Sequence, residues 1–198
     1  MSRVALALFL TLSLALPAMA AAEPAAVVEK FHAALTDAME HGAQLGCKGR
    51  VDQLAPVIAQ TFDIPFIASH ILRKRWDKLT PEQRTEFTTV LNDLIVQTYA
   101  SNFSHPGPKF ATVETKDSGS RKQVRTKLTP THDEPVTLDY FLQKSGEDWK
   151  VINVIANGVS DLALRSSQYD KVFEQSGFDG LMAKLGKQVA ADRAACNS

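Results

Sequence analysis

The spacing of apolar side chains changes twice along this chain, and those two changes leave it few folds to adopt. Up to about residue 105 they recur every three or four positions. Between residues 110 and 156 they alternate every second position, and after Asn157-Gly158 the wider spacing returns. A helix with one buried stripe needs the first pattern, and a strand with one covered face needs the second. Helices, then a run of strands, then helices again predict an α+β domain rather than alternating βαβ units.

In the first part, Val28, Phe31, Leu35, Ala38, Met39 and Leu45 predict an amphipathic helix over 25–45, broken by Gly46 and Gly49. A second helix is expected over 51–62, with Pro56 in its first turn, where the missing N–H is harmless. Asp63 is placed to cap a short helix over 64–72. Thr80 and Gln83 have capping-box spacing around Pro81. The stripe from Phe87 and Leu91 through Leu94, Ile95, Thr98 and Tyr99 then predicts a long helix to residue 100.

Strands are expected over 110–116, 121–128, 135–144 and 148–156, joined by hairpins into a curved antiparallel sheet. Val124, Thr126 and Leu128 share one side, as do Val136, Leu138, Tyr140 and Leu142. On the fourth strand, Trp149, Val151 and Ile155 point one way and Ile152, Val154 and Ala156 the other, so both faces are expected to be covered. Ser160 is placed to cap a further helix, which Gly177 ends before a last short one over 178–189.

Arg3, the apolar run over 4–16 and Pro17-Ala18-Met19-Ala20 read as a secretory signal cut after Ala20. The run is shorter than the roughly 20 residues that a membrane helix needs. The expected organisation is a signal over 1–20, one domain over 21–190 and a flexible tail over 191–198. In an oxidising compartment Cys47 and Cys196 can pair, but a cysteine in a polar tail does not compel it, and the unpaired form is favoured.

With 22 basic and 22 acidic residues the chain carries no electrostatic footprint for nucleic acid. Its histidines form no HExxH arrangement, and there is no nucleophile elbow or phosphate loop. No catalytic residue, metal or cofactor is expected. The rival readings are an enzyme acting on a small apolar substrate and an envelope interaction module without a pocket. The enzyme would use Asp63, Asp139 or Asp161 as base beside Tyr99 or Tyr140. The blander roles for those acids are a helix cap, a solvent-facing strand residue and an acidic first turn. Arg73-Lys74-Arg75 with Lys78, and Arg121-Lys122 with Arg125 and Lys127, read as solvated surface ahead of contacts to anionic head groups or an acidic partner.

Several short blocks, in order, carry a resemblance. They are Gly46-Cys47-Lys48-Gly49-Arg50, Leu54-Ala55-Pro56-Val57-Ile58, Thr61-Phe62-Asp63-Ile64 and Leu79-Thr80-Pro81-Glu82-Gln83, followed by Trp149-Lys150-Val151, Asn153-Val154, Gly158-Val159-Ser160, Arg165 and Tyr169. Over 27–185 the chain resembles periplasmic MlaC and toluene-tolerance auxiliary proteins. Cys47 stands where an aromatic residue is common. The stretch Asp161-Leu162-Ala163-Leu164-Arg165, with Ser167-Gln168-Tyr169, looks closer to the hopanoid-associated HpnM branch.

The resemblance implies an NTF2-like sheet wrapped by N-terminal and C-terminal helices around an apolar cavity. It implies a monomeric periplasmic carrier of phospholipid or hopanoid-related lipid, which touches membranes transiently and exchanges cargo with inner-membrane and outer-membrane transport components. Helical cavity candidates are Phe66, Ile67, Ile71, Leu72 and Trp76, then Phe87, Leu91, Leu94, Ile95 and Tyr99. Those on strands are Val124, Leu128, Leu138, Tyr140, Leu142, Val151 and Val154. Arg73, Lys74 or Arg165 would meet an anionic head at the mouth, although Arg165 suits a local ion pair slightly better. Movement of residues 64–76 would open the cavity.

Overall fold

Thr80 starts the longest uninterrupted helix as its sequence predicts. Its hydroxyl accepts the Gln83 N–H at 3.2 Å, and the Gln83 side chain accepts the Thr80 N–H at 3.0 Å. In this computed structural model, which describes residues 22–196, the elements are α1 (Pro24–Glu40), α2 (Gly42–Thr61), α3 (Ile64–Leu72), a 3₁₀ segment (Arg73–Lys78) and α4 (Pro81–Asn102). Then follow β1 (Lys109–Ser118), β2 (Arg121–Thr129), β3 (Val136–Ser145), β4 (Asp148–Ala156), β5 (Val159–Ser160) and α5 (Asp161–Cys196). The signal assigned to 1–20 lies outside the described residues.

Helix boundaries depart from expectation at the front. The break falls at His41, and Gly49 is helical. The reason lies at Gly42, where a Cβ would stand 2.1 Å from the Ser104 carbonyl oxygen, so only glycine admits that loop. Gly46, at φ 58 and ψ −174, leaves the helical conformation and breaks α2 as expected, while Pro56 sits inside the helical stretch that follows. Pro56 and Asp52 are both exposed, so the carbonyl left without a partner faces water.

The strands form one antiparallel sheet in chain order, β1-β2-β3-β4-β5. Directly opposed residues share a face, so Thr115, Val124, Tyr140 and Val154 make one inward row. Glu114, Arg125 and Asp139 make an outward one. There Arg125 donates to Asp139 at 2.7 Å and to Glu114 at 3.2 Å, which holds the Asp139 carboxyl below its usual pKa. Asp139 therefore points away from Tyr140.

Two bulges interrupt the ladder. Val113 is the extra residue on β1, and Ile152 is the extra one on β4, between the pairs Phe141–Asn153 and Leu142–Val151. The second bulge corrects the expected alternation. Val151 and Val154 both reach the inward face, which strict alternation would forbid. Next to it the Asp63 N–H donates to the Val151 carbonyl at 2.9 Å, pinning the start of α3 to β4.

At the C-terminus the chain keeps the break expected at Gly177 but differs at its far end. Cys47 and Cys196 form a disulfide, and helix runs to Cys196 where a loose tail was expected. Gly177, at φ 66 and ψ −165, turns α5 sharply inside its length, and Phe178, Leu181 and Leu185 then join the core. The return brings Cys196 to α2, a proximity that sequence distance conceals. Buried Arg50 secures the corner by donating to the Ala100, Gly42 and Cys196 carbonyls at 2.8, 3.0 and 3.4 Å.

His32 on α1 is buried, stacked on Phe110 at 4.1 Å and 2.9 Å from the Tyr140 hydroxyl. Burial lowers its pKa from 6.5 to about 4. A histidine that is harder to protonate when folded contributes its full stability above pH 6.5 and loses it as the pH falls towards about 4. The loss is on the order of 3 kcal/mol at most. Urea unfolding across that window should show it, and His32→Gln should flatten the slope. An unchanged slope in the variant would place the acid sensitivity elsewhere.

Candidate functional site

The start of α3, the middle of α4, the inward face of β3 and β4, and the first turns of α5 leave a cleft of about 300 Å³ between them. Phe62 and Ile67 line it from the α3 side, and Ile95, Thr98 and Tyr99 from α4. Leu138, Ile152, Asn153, Val154 and Ala156 form its sheet wall. Val159, Asp161, Leu162, Leu164 and Arg165 complete it. Its polar side chains are mostly engaged. Thr98 donates its hydroxyl to the Leu94 carbonyl at 2.8 Å, which uses that hydrogen within its own helix. Asn153 accepts from the Ser160 hydroxyl at 3.1 Å and from the Leu162 N–H at 3.3 Å, and so fastens the turn into α5. Ser160 in turn accepts the Ala163 N–H at 3.2 Å, the cap its sequence predicts.

Arg165 donates to Asp161 at 2.8 Å and to the Tyr169 hydroxyl at 3.4 Å. Burial works against its charge, but Asp161 and Tyr169 more than reverse that, leaving its pKa raised. Burial, followed by the Asp161 charge, pushes the Tyr99 phenol well above its usual range. Asp63 accepts the Phe66 N–H at 3.1 Å as a helix cap. Each carboxylate weighed as a base is thus held: Asp63 by a helix N–H, Asp139 by Arg125 and Asp161 by Arg165. The wall is hydrocarbon with one ion pair near its edge, an arrangement suited to enclosing an apolar group.

Val159 and Leu164 are 59% and 48% exposed although both line the cleft. They give it an apolar lip.

Of the residues selected from sequence, Ile67, Ile95, Tyr99, Leu138, Val154 and Arg165 come together here. Phe87, Leu91, Val124, Tyr140, Leu142 and Val151 are buried in the packed core and do not line this cleft. Phe66 stacks on His70 at 3.6 Å, Trp76 meets the Phe87 edge at 6.5 Å, and Leu128 lies between Phe110 and Val136 in the sheet. Leu94 borders an adjoining recess of about 240 Å³, which shares Thr98, Asp161, Leu164 and Arg165 with the cleft and adds Lys184, Gln188 and Asp192. Ile71, Leu72, Arg73 and Lys74 line a separate groove between the 3₁₀ segment and α5. Arg73 and Lys74 are therefore not at the mouth of the apolar cleft.

Sequence reasoning did not select Phe62, Thr98, Ile152, Asn153, Ala156, Val159, Asp161, Leu162 or Leu164 as cavity residues. Thr98 already lay on the α4 stripe. Ile152 required knowledge of the bulge, and Val159 to Leu164 required knowing that a two-residue strand turns straight back over the sheet.

A family model described as MlaC protein matches residues 28–187. The toluene tolerance protein ttg2D of Pseudomonas putida is 28% identical over 153 residues, covering 74% of this chain and 71% of that protein. The structure of a phospholipid-binding protein from Ralstonia solanacearum, solved with a phospholipid, superposes with a TM-score of 0.73 at 20% identity. That match covers 85% of this chain and 95% of the other.

Proposed function

The chain belongs to the MlaC family, and on that premise we propose that it is a periplasmic lipid carrier whose apolar cleft holds cargo hydrocarbon. The observation that carries this reading is the hydrocarbon wall of the cleft together with its exposed lip of Val159 and Leu164. The phospholipid in the related Ralstonia solanacearum structure supports the cargo class.

Each methylene moved from water into such a wall contributes about 0.8 kcal/mol. A cleft of about 300 Å³ is about twice the ~150 Å³ apolar cavity that accommodates benzene. Part of an acyl chain fits the closed form. A complete chain requires the walls to part, and residues 64–76 are the segment proposed to move. Cargo enters tail first past the lip, and its head group stays outside. The signal over 1–20, cut after Ala20, delivers the carrier to the periplasm. There it exchanges cargo with inner-membrane and outer-membrane transport components through transient contacts.

Mass spectrometry of the protein purified without detergent from its native envelope should find about one lipid per folded chain. The same spectrum separates phospholipid from hopanoid-related cargo. Folded protein that emerges empty from that envelope would refute the carrier reading.

A further inference from the structure

We propose that the groove between the 3₁₀ segment and α5 docks an acidic segment of a protein partner. The groove, about 840 Å³, has Arg73, Lys74, Arg75 and Lys78 along one side and Lys171 on the other. Arg75 pairs with Asp170 at 2.6 Å and reaches Glu174 at 4.0 Å, which engages both acids that line the groove. Arg73, Lys74, Lys78 and Lys171 remain exposed, with no ion-pair partner among the described residues. Five cations against two acids leave a net charge of +3 around one recess, in a chain whose basic and acidic residues balance at 22 each, and concentrate positive potential there.

Backbone geometry adds a second observation. Arg73 is the C-cap of α3 at φ 50 and ψ −128, a conformation that side chains other than glycine rarely adopt. Glycine would end the helix there without the steric penalty. A long cation held where glycine fits better is the pattern of a position kept for what its side chain touches. The shape selects the occupant. Cations on two sides of a recess are all within reach of a narrow acidic loop or strand, whereas a flat bilayer meets only the rims.

The groove also adjoins the cleft machinery. Within it the Ser166 hydroxyl donates to the Ile71 carbonyl at 2.8 Å, tying α5 to α3. The same two helices wall the cleft through Ile67 and Arg165. A docked segment therefore bears on both cleft walls. This last step rests on the carrier reading, but docking itself does not.

A fluorescein-labelled dodecaglutamate peptide titrated into the full chain, read by anisotropy at low and at about 0.15 M salt, tests the proposal. The peptide should bind, and salt should weaken it. Arg73→Glu/Lys74→Glu/Lys171→Glu should weaken binding by about tenfold or more. Lys109→Glu/Lys127→Glu/Lys187→Glu, which changes net charge equally at other exposed positions, should leave it near wild type. Arg73→Gly should raise Tm while weakening the peptide, opposite movements that a purely structural arginine would not produce. Three results overturn the proposal: no binding, equal loss in both triple variants, or capture of phosphatidylglycerol vesicles through the groove residues while the peptide is ignored. Lipid loading measured on the same samples separates a failure of docking from a failure of the carrier reading.

Discussion

Leu138→Trp should leave the protein folded and reduce its bound lipid per folded molecule by about tenfold. Leu138 is partly buried on β3, opposite Thr126 on β2 and Ala156 on β4, and it faces the cleft. An indole there fills space rather than opening it. Overpacking against the sheet costs about 1–3 kcal/mol, so folded yield is measured by circular dichroism and gel filtration, separately from the lipid ratio by mass spectrometry. Leu94→Trp is the comparison. Leu94 is buried in the same core and borders the adjoining recess but does not line the cleft, so its substitution should cost stability without a selective loss of cargo. Unchanged loading in folded Leu138→Trp would show that this cleft is not where cargo sits.

Removing the disulfide should have the largest effect on stability. The bond joins residues separated by 149 positions, and the loop-entropy model assigns about 5 kcal/mol to a link of that span. Native bridges of this kind commonly contribute about 2–5 kcal/mol. Near 2–4 °C per kcal/mol for a chain of this size, Cys47→Ser/Cys196→Ser should melt about 10 °C lower. The oxidised wild type treated with a reductant should converge on the same Tm. A Tm that barely moves would show that Arg50 and the packing of Phe178, Leu181 and Leu185 hold the end of α5 without the bond.

The α4 start, the Asp63 cap and the four long strands follow from signals contained within a few residues, and the folded chain places them within a residue or two of expectation. The break at His41 depends instead on the loop at Ser104 that comes close to Gly42, and the fate of Cys196 depends on a turn at Gly177 that returns the helix to α2. Neither partner is visible from its own neighbourhood.

The cleft was less legible for a chemical reason. Leu138 and Leu142 belong to one strand and one face, yet the first lines the cleft and the second is fully buried. Alternation identifies the covered face of a sheet, but a leucine packed against its neighbours and one beside open space carry the same pattern. The Ile152 bulge compounds this by shifting β4 half a period, which moves Val151 and Val154 onto one side.

The other bulge has a consequence at the sheet's open margin. β1 pairs with β2 alone, so its far rim presents backbone donors and acceptors to solvent. The additional residue at Val113 disrupts the hydrogen-bond spacing along that rim, and Lys109 and Lys116 add charge near its ends. A second molecule meeting this margin finds no regular ladder to extend. Chains crowded together at high concentration can therefore collide there without stitching their sheets into a growing fibre.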